Sequence, residues 1–66
     1  MEYTNSQIKD LILEHIQSQR DRKILYRRLV DGITYERLAE EFELSTVQVK
    51  RIIYKAEETL FKHLPT

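Results

Sequence analysis

The chain has 66 residues, with 11 basic and 11 acidic side chains, a formal net charge of zero, and no cysteine. That length allows one domain, residues 1–66, near the lower limit for independent folding and with little room for an enclosed active site; the missing cysteines exclude a disulfide framework and a thiolate metal site. Its longest apolar run is three residues, which excludes a membrane-spanning helix or a signal sequence within it.

Helix signals follow one another along the chain. Thr4 with Gln7 forms a capping box, with Tyr3 placed to staple onto Ile8, so a first helix starts near Asn5. Its positions Ile8, Leu11, Ile12, His15 and Ile16 keep helical spacing, with His15 at the helix surface or the edge of the core, and the polar run Gln17 to Arg20 ends the pattern. A second helix over Asp21 to Asp31 buries Ile24, Leu25, Leu29 and Val30 and stops at Gly32, a position that favours the left-handed conformation. Thr34 caps a third helix ending at Phe42 or Glu43, with Glu36 in its first turn. Ser45 opens a fourth through a capping box to Gln48, and this helix runs to Leu64, where Pro65 prevents continuation. No strand pattern occurs, and the expected fold is all-α: a compact four-helix domain with a long C-terminal recognition helix.

The segment Ile33 to Ile53 carries the functional signal. Leu38, Ala39 and Phe42 share one helix face, Leu44 fills a turn, and Val49, Ile52 and Ile53 share the face of the next helix. A short helix, a tight turn and a second helix in this pattern form a helix-turn-helix, with Thr46, Val47, Lys50, Arg51 and Tyr54 turned outward toward a major groove. Charge is segregated in blocks: Arg20 to Arg28 holds five basic residues against Asp21, Thr46 to Lys55 holds Lys50, Arg51 and Lys55 with no acid, and Glu36 to Glu43 holds four acids against Arg37.

The stretch DGITYERLAEEFELSTVQVKRIIYKAEETL, with RDRKIL before it, resembles region 4 of bacterial sigma factors, particularly the short extracytoplasmic-function type. Gly32, Tyr35, Glu36, Ala39, Ser45, Val49, Lys50 and Ala56 fall in register over Ile16 to Leu64. The resemblance implies a stand-alone four-helix domain of bacterial or phage origin whose last helix enters promoter DNA and whose apolar surface docks on RNA polymerase. Three departures bear on it. Glu43 stands where the family usually has a turn glycine, so a non-glycine residue must take positive φ. Thr46, Val47 and Gln48 replace an Arg-Glu-Arg set, which argues against the usual promoter hexamer. Sixty-six residues also cannot hold the domain that melts the promoter, so the chain is sigma-like in one domain only.

The expected site follows. Arg51 suits two acceptors of guanine; Thr46 and Val47 suit a thymine methyl; Tyr54 shares their face; Lys50 and Lys55 suit phosphates. Backbone N–H groups near Thr34 and Tyr35 suit a phosphate oxygen, and Arg27 and Arg28, beside Arg22 and Lys23, suit a phosphate clamp. Tyr54, Phe61 and Leu64 form a second stripe that either packs on the first helix or serves as a homodimer seam. His15 and His63 lack companions for a metal site; no nucleophile with its base and no phosphate-binding glycine loop is present. The reading is therefore a cytoplasmic, sequence-specific DNA-binding regulator, nucleoid-associated when bound, with double-stranded DNA and RNA polymerase as partners, and with no cofactor, membrane or small-molecule substrate. Its rival is a protein-interaction module that binds polymerase, or a sigma or anti-sigma partner, without reading DNA.

Overall fold

The computed structural model describes residues 4–63, and these form four helices and no strand: α1 (Asn5–His15), α2 (Gln19–Leu29), α3 (Tyr35–Phe42) and α4 (Thr46–Lys62). Local chemistry starts each one. The Thr4 and Ser45 hydroxyls accept from the Gln7 and Gln48 amides, and the glutamine side chains return the bond to the cap amides, both at 2.8 Å. Thr34 caps α3 by accepting from the Arg37 amide at 3.2 Å. The staple assigned to Tyr3 and the helix end assigned to Leu64 lie outside the described residues.

α2 begins and ends two residues earlier than its pattern suggests. Ser18 supplies the cap, accepting from the Asp21 amide at 3.3 Å, and Asp21 in the first turn complements the helix dipole. This corrects the start placed at Asp21: Gln19 and Arg20 already belong to the helix, because an exposed first turn has no need of apolar residues. Leu29 is likewise half-exposed rather than buried. It lies about a quarter turn around α2 from the Ile24–Leu25 stripe, whereas Arg28 continues that stripe toward α3.

Ile24, Leu25, Leu38, Val49 and Ile53 are completely buried, and Ile12, Ile16, Ala39, Ala56 and Leu60 close the core around them. Burial of each large side chain contributes about 1.5–3 kcal/mol before the ordering cost. Ala39 and Ala56 keep the helix contacts close, and α4 packs against all three other helices. Arg22 closes the C-terminal end of α1, donating to the Leu13 carbonyl at 2.8 Å and to the Ile16 carbonyl, groups left without helical partners. The rings of His15 and His63 stack with centroids 3.8 Å apart, fastening α1 to the far end of α4.

Between α3 and α4 the chain turns on Glu43, whose φ of 56° and ψ of 44° are left-handed, and the Leu44 amide bonds back to the Ala39 carbonyl at 2.9 Å. The turn therefore keeps the geometry expected of a glycine. Glu43→Gly should relieve the Cβ strain while adding unfolded-state entropy, a net stabilisation of about 0.5–1 kcal/mol, read as a higher urea midpoint at unchanged slope.

Candidate nucleic-acid interface

Because α4 buries Val49, Ile53, Ala56 and Leu60, its opposite side is fixed by helix geometry. Val47, Lys50, Arg51, Tyr54 and Lys55 are exposed there, as the spacing predicts; Thr46, at the first helical position, is half-buried rather than fully outward. No acid interrupts the sequence from Thr46 to Lys55.

Two other elements flank this face. On one side stands the N-terminus of α3, with Thr34 exposed and Tyr35 half-buried. The Tyr35 ring meets Tyr54 edge-on at 6.4 Å, lies under the Arg28 guanidinium at 4.2 Å, and faces the Lys50 ammonium at 5.6 Å. One ring thus links α2, α3 and α4, and two cations gain from its negative face. The neighbouring Tyr35 hydroxyl, as a hydrogen-bond partner and then through its charge, together with partial desolvation, holds the Tyr54 phenol above its ordinary value. On the other side, a cleft of about 380 Å³ separates Gln17, Ser18 and Arg20 from Arg51, Lys55 and Thr59.

The cations of the Arg20–Arg28 run do not come together as a phosphate clamp. Arg27 grips Glu41 with two donors at 2.6 and 3.2 Å and reaches Asp31 with a third at 3.2 Å. Arg28 donates to the Ile33 carbonyl at 3.0 Å beneath its stacking on Tyr35, and Arg22 caps α1. Sequence spacing displays such charges but not their partners: Arg27 and Glu41 are fourteen residues apart. The positioning role of Tyr35 is equally invisible from its neighbours along the chain.

The Arg27 hydrogen bonds, opposed by some desolvation and reinforced by the charges of Arg27 and Arg37, hold the Glu41 carboxyl below its ordinary value of 4.5. A lowered native value means that the pair stabilises the fold above pH 4.5 and ceases to do so as pH falls through the native value. Glu41→Gln should therefore lower Tm at neutral pH, and the two melting curves should converge in acid; a constant difference across pH would show that charge is not the cause.

The short helix, the left-handed turn and the cationic face of the following helix define a helix-turn-helix DNA-binding domain. The family model described as "Sigma-70, region 4" matches residues 18–62, and the chain belongs to that family. Neither a curated protein nor a solved structure matches it. The matched stretch starts at the Ser18 cap of α2, so α1 lies ahead of it and contributes Ile12 and Ile16 to the core. Region 4 is a binding domain rather than a catalytic one. Among the described residues, no helix is long and apolar enough to cross a membrane, and no group of three or more potential ligands gathers for a metal.

Proposed function

We propose that the chain is a sequence-specific transcriptional regulator that sets the first half of α4 in the major groove and acts at promoters together with RNA polymerase. The observation that carries this reading is the acid-free face of Lys50, Arg51 and Lys55 on α4, flanked by the N-terminus of α3. Arg51 and Val47 meet base edges, Thr46 and Tyr54 border them, and Lys50, Lys55 and the amides behind Thr34 and Tyr35 hold phosphates. Arg28 acts through Tyr35, keeping that corner of the interface in place. The setting is cytoplasmic, with duplex DNA as ligand and no cofactor.

Polymerase attachment has separate support. An apolar groove of about 280 Å³ between α1 and α2 is floored by Ile12, Leu13, Tyr26 and Phe42 and rimmed by Lys9, Arg22, Lys23 and Arg27. None of those residues belongs to α4, so a polymerase segment with an apolar face and acidic flanks fits there while DNA is held. The same groove favours the second reading, a protein-interaction module whose α4 reads no DNA.

Selection of bound sequences from a random duplex pool, at two salt concentrations, separates the two. An enriched motif that survives the higher salt is the expected result. Binding that is motif-free and lost with salt, or no binding, overturns the DNA reading in favour of the protein module.

A further inference from the structure

Val47, Tyr54 and Phe61 are 59%, 57% and 63% exposed, and they recur every seven residues along α4. A seven-residue repeat drifts only about 20° around a helix, so the three form one apolar stripe about 21 Å long. Groove reading accounts for Val47 and Tyr54 but not for Phe61, which lies beyond Lys55 and next to Glu57 and Glu58, where a phosphate backbone would be repelled. The charges beside the stripe are ordered as well. Lys50 and Glu57 flank it on the side toward Tyr35, and Arg51 and Glu58 flank it on the other, so on each side the charge beside Val47 and Tyr54 is basic and the charge beside Tyr54 and Phe61 is acidic, with Lys62 one turn beyond Glu58.

We propose that this face binds the same face of a second copy of the chain, with the two α4 helices antiparallel about a two-fold axis at Tyr54. Such an axis sets Val47 level with Phe61 of the second copy and Tyr54 against its own equivalent. It also brings Lys50 within about 1.5 Å, measured along the helix axis, of Glu57 of the second copy, and Arg51 equally near Glu58. Each of these four charges then faces its opposite, while Lys62, farther along the Arg51–Glu58 edge, stands level with Thr46 of the second copy. A parallel pair in register would set Lys50 beside Arg51 of the second copy and Glu57 beside its Glu58, like charge against like on both edges, so charge selects the antiparallel arrangement. A patch complementary to itself under a two-fold rotation is the signature of an isologous interface. The contact covers Val47, Lys50, Arg51 and Tyr54, so the dimer withholds the face proposed above for DNA, and the second copy competes with duplex. That competition rests on the DNA reading; the dimer itself does not.

Equilibrium sedimentation of the full chain over about 1–300 µM, a range suited to a single helix pair, should give a reversible monomer–dimer equilibrium. Glu57→Lys with Glu58→Lys makes both edges basic, and Lys50→Glu with Arg51→Glu makes both acidic. Each double variant alone should raise the dimer dissociation constant at least about tenfold, and an equimolar mixture of the two should restore dimers, which no folding defect can do. A wild-type chain monomeric throughout, double variants that dimerise like wild type, or a mixture that stays monomeric overturns the proposal. Phe61→Glu, outside the groove-reading set, should abolish the dimer and tighten duplex binding at micromolar chain concentrations. If wild type dimerises but neither it nor Phe61→Glu binds duplex, the DNA reading fails and the dimer stands; if Phe61→Glu binds duplex and wild type never dimerises, the reverse holds.

Discussion

Leu38→Ala should leave the chain largely unfolded at 25 °C. Leu38 is completely buried where α3 crosses α4, in contact with a core whose other fully buried members are Ile24, Leu25, Val49 and Ile53. Removing its isobutyl group forfeits the transfer energy and leaves a cavity, together about 2–5 kcal/mol. A core of this size rarely supplies more than about 3–5 kcal/mol of net stability, so one truncation consumes most of it. Circular dichroism would read the change as lost helicity without a cooperative thermal transition, whereas Leu13→Ala, at a position 47% exposed, should shift stability by no more than about 0.5 kcal/mol. A cooperative Leu38→Ala transition within about 1 kcal/mol of wild type would mean that the α3–α4 contact is not the keystone. Such a small reserve also governs how function is tested: loss of DNA binding is informative only for substitutions on exposed positions.

The parts of this molecule that were legible in its sequence are those decided within a few residues. Thr4 with Gln7 and Ser45 with Gln48 place helix starts because donor and acceptor lie three residues apart, and the structure shows both reciprocal bonds. The left-handed Glu43 was legible only through the family resemblance, which sets it where region 4 usually has a turn glycine. The start of α2 was less so, since Ser18 is followed at the third position by Asp21 rather than by the Glu or Gln that completes a capping box. Contacts across the fold were not legible at all. The stack of His15 on His63 joins opposite ends of the chain, and the arginines from Arg22 to Arg28 look alike in sequence although one caps a helix, one grips Glu41 and one covers Tyr35. For α4 the periodicity fixes which residues face outward; the partner that meets them is set by chemistry the periodicity does not contain.

Arg51→Ala and Lys55→Ala should weaken DNA binding in two different ways. Both side chains are exposed, and both line the cleft facing Ser18 and Arg20, but Arg51 stands farther around α4 from the buried Val49 and Ile53. In the docking proposed above, a guanidinium there, one turn after Val47, is directed at the floor of the major groove and Lys55 at its wall. Losing two hydrogen bonds to one guanine should cost Arg51→Ala about 1–3 kcal/mol at the cognate site and little on unrelated duplex, so the specificity ratio falls with the affinity. Losing one phosphate contact should make Lys55→Ala weaker on every sequence and reduce the slope of log affinity against log salt by about 1. Titrations of cognate and scrambled duplex at several salt concentrations distinguish the two patterns, with circular dichroism confirming that both variants fold. Equal effects on both duplexes from Arg51→Ala would move that residue to the backbone and leave base reading to Val47 and Tyr54, side chains that contribute mainly shape and methyl contact. A reader of that kind would discriminate weakly alone and would depend on polymerase, bound through the α1–α2 groove, to hold it at the right promoter.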